Sequence, residues 1–302
     1  MVVISAGRRL AVLATLAVLV VVPGATTSET PSDPLPRAPY PTVSQRIPYG
    51  PEPDTFGDLY LPEGTVGRLP VVVMIHGGGW AQNRTLTHFA PISHSLAEAG
   101  VAVWSIEYRR VHGAGGWPVT LADVAAAVAA LATVVQARAG HRLDLRRVHL
   151  AGHSAGGHLA AWVAGRHTLP AEAPGVRPGF RPRSAILMAG VLDLELAATH
   201  GRDAFVRDLL GGLPDQVPER YRTASPIRQL PVGVRLLAVH GDADRVVPLD
   251  QSRRYVDTAI ARGDNARLLV LPGVGHAEFV DVASAAWART RQTILEQVDA
   301  DR

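Results

Sequence analysis

Gly152-His153-Ser154-Ala155-Gly156-Gly157 sets a serine hydroxyl among small residues, after the apolar run Val148–Ala151 and before the helix-forming stretch His158–Trp162. On a tight strand-to-helix turn a serine projects its Oγ outward. Small neighbours permit the strained backbone, and the amino end of the following helix favours negative charge developing beside it. A serine becomes a strong nucleophile only when a base takes its proton. The segment His240–Pro248, after the apolar run Leu236–Val239, offers Asp242 and Asp244 as an acid that could orient such a base. The two compete for that role. Asp242 fits a turn aspartate bonded to its own backbone, so Asp244 is read as the acid. His276, on the loop Leu271–His276 after Ala266–Val270, is read as the base. Upstream, His76-Gly77-Gly78-Gly79-Trp80 follows the apolar run Val71–Ile75. Glycines at a strand end let backbone N–H groups approach an oxygen closely. Those of Gly77 and Gly78, with that of Ala155, would hold the oxyanion formed when Ser154 attacks a carbonyl.

Other residues near these motifs receive structural readings. His153 is expected to pack or hydrogen-bond beside the serine turn, and His76 to prop the glycine loop. Trp80 either lines the substrate pocket or covers the loop. His149, His153 and His158 fall on both sides of the turn and match no metal-binding spacing, so neither a metal nor another cofactor is implied. The absence of cysteine removes disulfides, a thiol nucleophile and thiolate metal sites together.

Positioning these groups requires a scaffold, and the hydrophobic pattern describes one. Strands are predicted at Val71–Ile75, Val101–Ile106, Val148–Ala151, Ala185–Met188, Leu236–Val239 and Leu268–Leu271. They are continuous apolar runs, as strands covered on both faces should be. Helices are predicted near Ile92–Ala99, Thr120–Ala139, His158–Arg166, Gln251–Arg262 and Val282–Val298. Thr120 and Asp123 have the spacing of a capping box, with Val119 and Val124 as a hydrophobic staple; Asp123 is thereby read as a cap and not a second acid. The alternation implies an α/β class with a doubly wound, mostly parallel sheet. Ser154, Asp244 and His276 would then follow the carboxyl ends of three strands, where such sheets bind ligands.

A chain of 302 residues with 47% hydrophobic content can bury one large domain. Arg8-Arg9, the apolar run Leu10–Val22 and Pro23-Gly24-Ala25 have the order of a secretory signal. The run is shorter than the roughly 20 residues a membrane span needs, which favours a cleaved signal over the alternative of an uncleaved anchor. Residues 1–28 are accordingly expected to be a signal peptide and 29–55 a Pro-rich linker, with 56–302 the catalytic domain. A secreted or cell-envelope location follows, with no stable membrane insertion after signal cleavage. The formal net charge is +3, which loss of Arg8 and Arg9 would lower. With basic and acidic residues interspersed and no basic stripe, nucleic-acid binding is excluded. Oligomeric state is left open.

With these motifs in order, the chain resembles an α/β-hydrolase of the esterase/lipase superfamily. It is similar to small carboxylesterases and arylformamidase-like enzymes with an HGGGW loop, and to the catalytic domain of S9 prolyl oligopeptidase-type proteins. The resemblance runs from about Phe56 onward. It includes Asp58-Leu59-Tyr60-Leu61-Pro62, Glu107-Tyr108-Arg109-Arg110 with Trp117-Pro118 and Asp123-Val124, and Ser225-Pro226. The order Ser, Asp, His is the one this fold uses. The resemblance implies a short cap insertion over Leu192–Arg222 that shapes the pocket. It also implies a serine hydrolase acting on a small-molecule ester through a Ser-His-Asp triad and an acyl-enzyme. Arylformamidase or S9-like peptidase action on amides is the alternative, and a catalytically silent binding protein a further one.

Overall fold

In the computed structural model, the described residues are Met1, 42–200 and 204–301. The expected signal peptide and the first part of the expected linker therefore fall outside the described residues, apart from Met1. Among the described residues, eight strands form one sheet: β1 Thr42–Pro48, β2 Phe56–Pro62, β3 Leu69–Ile75, β4 Ala102–Ile106, β5 Leu143–His153, β6 Ser184–Met188, β7 Arg235–Gly241 and β8 Ala266–Leu271. Their spatial order is β1-β2-β4-β3-β5-β6-β7-β8. The β1–β2 and β2–β4 pairs are antiparallel, and every later pair is parallel.

The apolar runs become central strands because both faces are covered. Along β3, Val71, Val73 and Ile75 enter one core while Val72 and Met74 enter the other, and all five are fully buried. Each such side chain contributes about 1.5–3 kcal/mol relative to exposure. Helices α1 (Ala90–Ala97), α2 (Val119–Ala129), α3 (Val134–Arg138) and α4 (Ala155–Ala164) lie between β3 and β6 in the chain. Four short helices follow β6: α5 (Leu194–His200), α6 (Ala204–Leu210), α7 (Pro218–Ala224) and α8 (Pro226–Gln229). Helices α9 (Asp250–Ala261) and α10 (Ala285–Asp299) come last. Ile92 and Leu96 of α1 share a core with Trp287 and Ile294 of α10. Leu121 of α2, Leu159 of α4 and Tyr255 of α9 belong to the core on the other side. Among the described residues no helix is long and apolar enough to cross a membrane.

Three expectations are corrected. Thr42–Pro48, assigned to the linker, is an edge strand paired with β2 from Thr42 opposite Pro62 to Pro48 opposite Phe56. Ile47 is buried, and the Arg46 guanidinium makes two bonds of 2.8 and 3.0 Å to Asp58. The capping box also fails. Helix α2 begins at Val119 behind Pro118, with no side-chain cap. Thr120 Oγ1 instead accepts from Gly116 N and donates to the Arg109 carbonyl. The Asp123 carboxylate turns back to accept from the Arg109 backbone N–H at 3.0 Å and from its guanidinium at 2.8 Å on each oxygen. A charged fork outbids a neutral cap for the same carboxylate. The helix expected over Thr120–Ala139 is also interrupted, because a 3₁₀ turn at Ala130–Ala132 precedes α3.

Because β3 lies between β4 and β5, the chain leaves β3 in one direction and later passes it in the other. Such a reversal opens a crevice at the carboxyl ends of β3 and β5. The glycine loop and Ser154 both emerge there.

Candidate active site

Ser154 stands between the end of β5 and the start of α4, with φ 57° and ψ −120°. That backbone is costly for any L side chain. It is held by the Ser154 N–H donating to the Met188 carbonyl at 2.8 Å and by the Ser154 carbonyl accepting from His158 N at 3.1 Å. The small residues flanking the serine are steric necessities: a Cβ on Gly152 would stand 2.1 Å from the Gly156 carbonyl oxygen.

The glycine loop lies against this turn. A Cβ on Gly77 would come within 3.1 Å of the Ser154 Cβ. Gly78, Gly79 and Trp80 all have positive φ, at 105°, 62° and 56°. Glycine adopts such angles freely, whereas Trp80 needs outside support. That support is visible. The indole is 1% exposed, its Nε1–H donates to His158 Nδ1 at 3.2 Å, and its ring meets the His158 ring edge-on. Trp80 is therefore buried and fastened to α4 through His158, an arrangement that fits the second of its two readings, cover for the loop. His76 does what was expected of it. Its Nδ1–H donates to the Gly77 carbonyl at 2.8 Å, and its ring stacks on Tyr108 at 4.4 Å.

Asp244 and His276 come from the ends of β7 and β8 and meet at 2.7 Å, Asp244 Oδ2 to His276 Nδ1. The other Asp244 oxygen accepts from the Val246 and Val247 N–H groups at 2.8 and 2.9 Å. The Asp244 side chain is fully buried. Burial acts to raise its carboxyl, but the His240 ring 3.5 Å away and the hydrogen bond from His276 outweigh it and hold the group well below the usual carboxylate range. The competing Asp242 does not bond its own turn as expected: its Oδ1 accepts from Gly273 N, on the loop after β8, at 2.6 Å, and the turn's N–H groups at Val246 and Val247 go to Asp244 instead. His276 is brought to the serine turn by His153, whose Nε2 is 2.9 Å from the His276 carbonyl and whose ring lies 4.5 Å from the His276 ring. Burial, aided by His276, pushes His153 down to about 3, so this ring stays neutral. That arrangement suits packing and not proton transfer.

The segment Leu192–Arg222 reaches the glycine loop through α6. The Phe205 ring lies over Gly79, 2.9 Å from where a Cβ would stand, and the Leu209 carbonyl accepts from Trp117 N at 2.8 Å.

Two supporting groups escaped the sequence reading. His240, fully buried, contacts Ser252 Oγ through Nδ1 at 2.7 Å and donates from Nε2 to the Val247 carbonyl at 2.9 Å. It thereby holds the turn that presents N–H groups to Asp244. Glu107, immediately after β4, is buried with its carboxylate on His76 Nε2 at 2.7 Å. The available signal for Glu107 was an acid closing a largely apolar strand, Ala102–Ile106.

A family model described as BD-FAE matches residues 57–258. Esterase LipC of Mycobacterium tuberculosis is 31% identical over 77% of this chain and 59% of its own length. Isoprenylcysteine alpha-carbonyl methylesterase ICME of Arabidopsis thaliana is 25% identical over 78% and 57%. The chain thus spans about three fifths of these relatives. Among solved structures, esterase B from Lactobacillus rhamnosis superimposes with a TM-score of 0.73 at 21% identity, covering 87% of each chain. A truncated carbohydrate esterase from gut microbiota gives 0.72 at 24% identity, covering 87% of this chain and 99% of its own. At such identities the structural likeness speaks for the fold, the α/β-hydrolase fold. With the family match running through the glycine loop, the serine turn and the Asp244 strand, this chain belongs to the BD-FAE family.

Proposed function

We propose that this chain is a secreted serine hydrolase that cleaves carboxylic esters through Ser154, His276 and Asp244. The observation that carries the reading is the 2.7 Å bond from His276 Nδ1–H to buried Asp244, on a histidine packed against the residue preceding Ser154. That bond places the proton on Nδ1 and leaves Nε2 free as a base. Nε2 takes the Ser154 proton as Oγ attacks the ester carbonyl, and Asp244 stabilises the imidazolium. The N–H groups of Ala155, Gly77 and Gly78 receive the oxyanion, each donor lowering the barrier by about 3 kcal/mol. His276 then protonates the leaving alcohol, and a water activated by the same nitrogen releases the acid from Ser154. The relatives' names as esterases support the ester over the amide. The Arg8-Arg9 pair followed by Leu10–Val22 supports export.

Initial rates on p-nitrophenyl esters from acetate to palmitate, for the wild type beside Ser154→Ala, test the chemistry. Turnover at some chain length that the substitution abolishes is expected. Equal residual rates in both proteins would overturn it. For export, the amino terminus of protein recovered from culture fluid should lie beyond residue 22.

A further inference from the structure

We propose that Glu107 is a positioning residue for the oxyanion loop, acting through His76 on the Gly77–Gly78 peptide. The inference rests on the ester-hydrolase reading above. The Glu107 backbone is fixed first: its N–H donates to the Phe56 carbonyl at 2.9 Å, and its carbonyl accepts from Tyr49 Oη–H at 2.7 Å. From that anchor the carboxylate grips both ends of the loop joining β3 to α1. Oε1 meets His76 Nε2 at 2.7 Å, and Oε2 accepts from Leu86 N at 3.0 Å. Tyr108 N donates to Oε1 at 3.1 Å, and Arg110, itself buried, pairs with the same carboxylate.

His76 transmits this hold. Its ring is clamped by the stack on Tyr108, whose hydroxyl also donates to the His76 carbonyl at 2.8 Å. Nδ1–H donates to the Gly77 carbonyl at 2.8 Å. The Gly77–Gly78 peptide is trans, so its N–H points away from that carbonyl. Fixing one edge of the plane therefore aims the other, and the other edge is the Gly78 N–H assigned to the oxyanion. Two glycines in sequence give this peptide little stiffness of its own. A neutral imidazole donates from only one nitrogen, and both His76 nitrogens face oxygens. With Nδ1–H on the Gly77 carbonyl, Nε2 is the nitrogen that faces the Glu107 carboxyl group. Aspartate, one methylene shorter, cannot span to His76, whereas a glutamine amide can donate to Nε2 and keep Nδ1–H on Gly77.

The test compares wild type with Glu107→Asp, Glu107→Gln and Glu107→Ala. Reactive serine is counted by fluorophosphonate titration, so that misfolded protein is removed from the rate. Per titrated site on p-nitrophenyl butyrate, Glu107→Asp and Glu107→Ala are expected to lose at least tenfold in kcat with KM within threefold. Their affinity for a trifluoromethyl ketone, whose serine adduct carries an oxyanion, should fall by a similar factor, and Glu107→Gln should recover most of both. Should Glu107→Ala fail to fold, Glu107→Asp decides alone. Wild-type kcat per titrated site in Glu107→Asp, whatever its melting temperature, overturns the proposal. A wild type that neither turns over an ester nor reacts with the fluorophosphonate overturns the ester-hydrolase reading, and this proposal with it.

Discussion

The α-carbon of Gly156 faces the carbonyl of Ile75 so closely that an added Cβ would stand 2.0 Å from its oxygen. The first turn of α4 thus rests directly on the end of β3, and no flexible side chain lies between to give way. Gly156→Ala must push two backbones apart. Overpacking of this kind costs about 1–3 kcal/mol, and in a domain of this size each kcal/mol lowers Tm by roughly 2–4 °C. Thermal unfolding followed by circular dichroism should show a drop of about 3–10 °C. An unchanged Tm would mean that the serine turn stands off β3.

Buried neutral histidines should make the fold acid-sensitive earlier than its carboxylates do. Burial pushes His149 and His158 down to about 4 and His153 to about 3. The unfolded rings bind protons below about 6.5, so over the intervening window the unfolded state holds more protons and stability falls as pH drops. Each ring contributes a slope of about 1.4 kcal/mol per pH unit there. His158 is the clean test, since its Nε2–H donates to the Ala224 carbonyl while Nδ1 accepts from Trp80. In His158→Gln, urea unfolding at several pH values between about 4.5 and 6 should give a slope shallower by roughly 1.4 kcal/mol per unit. An identical slope would show that His158 is not held neutral.

Trp80→Phe separates loop support from substrate contact. The variant loses the bond to His158 Nδ1 and leaves a buried acceptor unpaired, a cost of about 1–3 kcal/mol. Stability should fall by that amount while KM across an ester series moves less than twofold. A KM that rises with acyl length would return Trp80 to the pocket.

Phe205 gives the converse case. Its ring sits on Gly79 yet is 53% exposed, so it offers a surface beside the loop. Phe205→Ala should shift the preferred acyl length by two carbons or more and leave Tm within about 2 °C, because an exposed ring contributes little to the core. An unchanged chain-length profile would deny α6 a part in the pocket.

Much of the site was legible because its chemistry and its local structure make the same demand. The glycines around Ser154 and those after His76 mark places where backbones touch, and Asp244 and His276 follow apolar runs that become β7 and β8. Thr42–Pro48 was hidden because an edge strand with a largely exposed face carries no alternation, and its position inside the proline cluster matched a linker equally well. Asp123 shows a different limit: one spacing serves a helix cap and an acid reaching back to Arg109, and only the tertiary fold decides. Glu107 had only a faint local signature, an acid after a largely apolar run, since its partner His76 belongs to another strand end. Long-range polar pairs of this sort follow from strand order, which the hydrophobic pattern does not encode.

The strained backbone of Ser154 carries an evolutionary cost. At φ 57° and ψ −120° a glycine would sit at ease where the serine is forced, a relief of about 1–3 kcal/mol set against roughly 0.5–1 kcal/mol of extra chain entropy. Ser154→Gly should therefore melt higher than the wild type while losing the nucleophile. A laboratory selection for thermostability alone would drift toward that inactive protein, and only a concurrent demand for turnover keeps the serine in place.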